Sequence, residues 1–152
     1  MYRSERDVAP SPSIELDRLR RSPRGLRLTT DLLDPPVRIA DGPSFVPQYE
    51  SIFIAESYDF PFEGPAPTIV DGGANIGMGI IWWRAKWPEA RVIAFEPDPE
   101  IFEILAWNTR FHHDLDLRQQ ALTAHGKGVT FLSEGTDAGR IDAGDNPIPD
   151  GT

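Results

Sequence analysis

Asp71, Gly72, Gly73, Asn75 and Gly77 crowd into one short stretch, TIVDGGANIGMGII (residues 68–81), and Glu96 follows 19 residues after Gly77. Glycine weakens strands and helices alike, so the three within residues 72–77 imply that the backbone must turn sharply or admit a ligand closely. The apolar, β-branched TIV before Asp71 reads as a buried parallel strand. The segment after Asn75 has helical spacing, with Ile76, Ile80, Trp83 and Trp87 on one face. The loop therefore lies between the carboxyl end of a strand and a helix start, expected near Asn75 or Ile76. Ligands of open α/β sheets bind there, where unpaired helix N–H groups point outward.

The residue types narrow the ligand. A dinucleotide fingerprint, G-x-G-x-x-G, aligned on Gly72 and Gly77 places its middle glycine on Ala74, so an NAD-type reading fails at that position. No G-K-[ST] loop occurs. The pattern that fits is Asp71-x-Gly73-x-x-x-Gly77, with a carboxylate on the strand end, which would repel a pyrophosphate and attract an ammonium group. A second apolar strand, RVIAF, ends at Glu96, an acid placed to accept hydrogen bonds from ribose hydroxyls. A ligand with an ammonium group at one end and a free ribose at the other is S-adenosyl-L-methionine.

The surrounding elements must hold these groups. Ser44 is the expected N-cap of an amphipathic helix through SFVPQYESIFIAESYDF. Asp98 and Pro99 mark the start of a helix after RVIAF, as N-cap and first helical residue. LDLRQQALT reads as a third strand and GVTFL as a fourth. The β-α-β-α-β order predicts parallel strands with right-handed crossovers. Residues 1–43 read as a tail and irregular lead-in, with a short helix over SIELDRLRR and a short strand over residues 37–40. Residues 44–132 read as the cofactor-binding part of a domain, and 133–152 as an acidic, Gly/Pro-rich tail with little to bury.

The formal net charge of -9 argues against nucleic acid and against an anionic membrane surface as partners. There are no cysteines, so disulfides and thiolate metal sites are excluded. The N-terminal residues lack an apolar signal core, and a cytoplasmic location is the default expectation.

The loop, RVIAFEPDPEIFEIL, RQQALT and GVTFL together resemble the FkbM-type family of S-adenosylmethionine-dependent methyltransferases over roughly residues 44–132. The resemblance implies an α/β, Rossmann-like class I methyltransferase fold. It implies that the loop carrying Asp71, Gly72, Gly73, Asn75 and Gly77 cradles the methionine part, that Glu96 holds the ribose, and that the strand end near Ala121 lies by the adenine. The acceptor it implies is a hydroxyl of a sugar or small natural product. In that family a further strand with a K-I-D-x-E-G-type segment follows. GRIDAG only echoes it, so the chain reads as truncated after three parallel strands and a following short strand. The alternatives are a catalytically inert cofactor-binding fragment and an NAD-type oxidoreductase half-domain.

No catalytic residue and no metal ligand is assigned. His112, His113 and His125 read as exposed residues at a helix end and in a turn, and Trp82 and Trp83 as core rather than a stacking platform. The TIV strand, expected to lack a neighbour on one side, presents an open edge that invites self-association.

Overall fold

The computed structural model describes residues 11–122, 130–132 and 140–142. Its centre is a parallel sheet of β3 (Thr68–Asp71), β4 (Arg91–Phe95) and β5 (Leu115–Arg118), in that order, with α3 (Met78–Lys86) and α4 (Pro99–Asn108) as the crossovers. In register, Asp71 stands beside Ala94 and Ala94 beside Leu117. This is a partial Rossmann-like fold. Ile69, Val92 and Ala94 share the face that the helices bury. Val70, on the opposite face, is 58% exposed.

α4 starts as the sequence predicts. The Asp98 carboxylate accepts from the N–H groups of Glu100 and Ile101, and Pro99 opens the helix. α3 starts later than expected. Asn75 (φ 48°) and Gly77 (φ 91°) both adopt left-handed conformations, so the helix cannot begin before Met78.

The lead-in is more ordered than its composition suggests. α1 (Pro12–Arg20) inserts Leu19 fully into the core, and its Glu15 carboxylate accepts from Arg18 and from the Thr30 hydroxyl. β1 (Leu28–Thr30) and β2 (Val37–Ile39) form an antiparallel hairpin, with Val37 and Ile39 buried. The expected tail up to residue 43 is therefore corrected over its described part: it packs on α2 and α4. The N-cap of α2 (Gly42–Tyr49) is also corrected, from Ser44 to Asp41. Pro43 suits the first helical turn, and the Asp41 carboxylate accepts from the N–H groups of Ser44 (2.9 Å) and Gly25 (2.7 Å).

α2 runs directly into a π-helical turn, Glu50–Ile54. Pro47, inside α2, has no N–H to give to the α-helical ladder, and the register changes one turn later. The third strand is shorter than predicted, ending at Arg118. The fourth is β6 (Thr130–Leu132), paired antiparallel with β7 (Arg140–Asp142). β7 falls within the expected unstructured tail and corrects it at those residues. The rest of 133–152 lies outside the described residues. No helix among the described residues is long and apolar enough to cross a membrane.

Candidate functional site

The two acids singled out in the sequence end adjacent strands. Asp71 closes β3 and Glu96 directly follows β4, so both stand at the carboxyl edge of the sheet. Glu96 is only 7% exposed and is held from two sides. Its Oε2 accepts from the Asn75 N–H at 3.0 Å and its Oε1 from the Asp98 N–H at 2.9 Å. Each oxygen keeps acceptor capacity for a second donor. Burial pushes the Glu96 pKa up, two backbone N–H groups oppose this, and the charges of Asp98 and Asp71 raise it further. Burial likewise raises Asp71, whose carboxylate accepts from the Gly73 N–H.

The left-handed turn of the loop is secured locally. The Asn75 Oδ1 accepts from the Ile76 N–H at 2.6 Å, and the Gly77 N–H donates to the Ala74 carbonyl at 2.9 Å. The Ala74 N–H donates to the carbonyl of Phe95, which ties the loop to the end of β4. The three glycines then separate by role. At Gly73 a Cβ would meet nothing within 4 Å, so this position faces open space at the strand ends. At Gly77 a Cβ would lie 2.9 Å from Leu105 Cδ1 and 3.0 Å from Thr109 Cγ2. Gly77 lets α3 and its loop pack on α4. At Gly72 a Cβ would lie 3.2 Å from Leu122 Cδ2, so the segment after β5 crosses the loop and brings Ala121, the neighbour of Leu122, to the same edge.

Sequence reading missed the residue that braces this arrangement. Asn108, at the end of α4, is 3% exposed and uses three polar contacts. Its Nδ2 donates to the carbonyls of Ile76 (2.8 Å) and Arg38 (2.9 Å), and its Oδ1 accepts from the Arg38 N–H (2.8 Å). It thus joins the glycine loop to β2. The sequence signal was an amide on the apolar face of a helix, a position that needs polar partners when buried.

The histidines are elsewhere. His112 and His113 precede β5, so they lie at the amino edge of the sheet, opposite Asp71 and Glu96. His113 is exposed, as expected, with its ring 3.4 Å from Arg84. His112 is half-buried, and burial with the nearby Arg84 charge lowers its pKa. His125 lies outside the described residues. Trp82 and Trp83 are both buried, as read from the sequence. Among the described residues, no three His, Asp or Glu side chains cluster to hold a metal.

A three-stranded parallel sheet and two crossover helices define a partial Rossmann-like fold, with the two acids together at its carboxyl edge. No family model matches the chain. The chain is similar to a protein named Methyltransferase sdnD from Sordaria araneosa, 40% identical over 60 residues. That match takes in 40% of this chain and 23% of the relative. It is also similar to Methyltransferase 1 from Beauveria bassiana, 38% identical over 66 residues, or 43% of this chain and 26% of the relative. The chain thus matches about a quarter of the length of these curated relatives.

Proposed function

We propose that this chain carries the cofactor-binding part of an S-adenosyl-L-methionine-dependent methyltransferase, of the FkbM type, that transfers a methyl group to a hydroxyl of a sugar or small natural product. The observation that carries the reading is the pair Asp71 and Glu96 on adjacent strand ends, with the open position of Gly73 beside them. The likeness to two proteins named methyltransferases supports it.

The residues fit such a cofactor. The space a Cβ would fill at Gly73 admits the methionine portion against the backbone. The Asp71 carboxylate suits its ammonium group. The spare acceptor capacity of Glu96 suits both ribose hydroxyls, and its two backbone hydrogen bonds fix the carboxylate in place beforehand. Ala121 would border the adenine. When bound, the cofactor supplies an activated methyl group, so the protein's task is to position donor and acceptor.

The test is calorimetric titration of the full chain with S-adenosylmethionine, S-adenosylhomocysteine and NAD. Binding of the first two is expected. NAD binding more tightly than either would overturn the reading in favour of an oxidoreductase half-domain. Binding without turnover on any hydroxylated acceptor would favour the inert cofactor-binding fragment.

A further inference from the structure

Tyr58 stands beside the same edge of the sheet. Its ring lies on the first turn of α3, where a Cβ at Gly79 would come within 2.9 Å of Tyr58 Cε2. Only glycine at 79 lets the ring lie this close. The Trp83 ring stacks on Tyr58 at 5.3 Å and 24°, and the Trp83 indole N–H donates to the Tyr58 carbonyl at 3.1 Å. Both backbone and ring are therefore held.

Tyr58 is nevertheless 41% exposed. It lines a cleft of about 510 Å³ together with Ser44 and Gln48 of α2 and Ser51 and Ile52 of the π-helical turn. Ser44 and Gln48 also border Asn75 of the glycine loop, so the cleft and the loop share a wall. π-Helical turns recur at functional sites because they redirect side chains without breaking a helix.

The electrostatics of this corner favour a cation. Asp71 is close enough that its charge adds to burial in raising the Tyr58 phenol pKa, so the phenol is neutral at pH 7. Trp82, Trp87 and Trp107 each have a Lys or Arg over the ring, whereas Tyr58 is in none of the cation–ring pairs among the described residues. The Arg24 guanidinium at the cleft is already paired with Asp41 at 2.8 Å.

We propose that Tyr58 is a specificity residue of this site, its part-exposed ring recognising the positive charge of a bound sulfonium and so favouring the methyl donor over its neutral thioether product. This rests on the cofactor reading above. A ring quadrupole attracts a cation more strongly than a neutral thioether, which makes only the weaker sulfur–ring contact. Loss of the charge on methyl transfer removes the attraction, which assists product release.

The test is calorimetry on the full chain with S-adenosylmethionine and S-adenosylhomocysteine. Tyr58→Phe, which keeps the ring, should bind both as the wild type does. Tyr58→Leu should lose about 2- to 30-fold in affinity for S-adenosylmethionine and clearly less for S-adenosylhomocysteine. Because Tyr58→Leu removes the stack on Trp83, progressively fluorinated phenylalanines at 58 provide an isosteric series. Affinity for the sulfonium should fall stepwise along it, and more steeply than affinity for the thioether. Equal losses for both ligands, or no loss for either, would overturn the inference alone. A wild-type chain that binds neither ligand would overturn the cofactor reading and the inference together.

Discussion

Gly73 and Gly77 belong to one motif, yet the structure gives them opposite roles, and alanine at each separates them. At Gly77 the new Cβ meets Leu105 Cδ1 at 2.9 Å and Thr109 Cγ2 at 3.0 Å. Neither neighbour can yield easily: Leu105 is fully buried, and the Thr109 hydroxyl is tied to the Leu105 carbonyl at 2.8 Å. The left-handed backbone, φ 91°, adds about 1–2 kcal/mol for any residue with a Cβ. Overpacking adds about 1–3 kcal/mol. Gly77→Ala should therefore destabilise the fold by about 2–5 kcal/mol, a large share of the stability of an ordinary domain. Gly73→Ala meets nothing and is not in the left-handed region, so its stability should stay within about 0.5 kcal/mol of wild type. Its affinity for S-adenosylmethionine should fall, by roughly 5- to 150-fold if the methyl overpacks the ligand, and Gly73→Val should abolish binding. Urea unfolding followed by Trp fluorescence measures the first effect, and calorimetry the second. A Gly77→Ala midpoint equal to wild type, or a Gly73→Ala variant that binds normally, would refute the division of roles.

Asn108→Ala should destabilise by about 1–3 kcal/mol, chiefly because it strands the Ile76 carbonyl in buried surroundings, the Arg38 N–H and carbonyl being only part-buried; urea unfolding reads the loss. Glu96→Ala should weaken S-adenosylmethionine binding by about 1.5–3 kcal/mol through loss of charge-assisted hydrogen bonds, and wild-type affinity in that variant would place the site elsewhere. The Glu96 pKa is raised in the fold above its ordinary 4.5, so the folded chain holds this proton to higher pH than the unfolded chain does. The Glu96 contribution to stability should therefore decline as pH rises from about the ordinary glutamate value through the raised one. Ligand affinity should change in the opposite sense, falling as pH drops through the raised value, and titrations across that window test both. Hydrogen exchange should be faster at β3 than at β4, because β4 has a strand on each side and β3 has one among the described residues. Equal protection, or concentration-dependent protection of β3, would indicate that its edge is covered by another strand or by a second copy.

The sequence alone determined the parallel β-α-β-α-β core, the start of α4 and the placement of Asp71 and Glu96. Each rests on short-range chemistry: β-branched runs, an Asp-Pro helix start, and acids immediately after strands. Tertiary structure decided what local pattern could not. The lead-in looked like a tail because its apolar residues are sparse, but Leu19 of α1 and Val37 and Ile39 of β2 all reach the core. Asp41 rather than Ser44 caps α2 because it can hold the Ser44 and Gly25 N–H groups together, and Gly25 is distant in sequence. The glycines of one motif were indistinguishable until α4 packed against Gly77 and left Gly73 open. Tyr58 carried no motif at all. Its position beside the glycine loop comes from stacking on Trp83, a contact between residues 25 apart that no local spacing encodes.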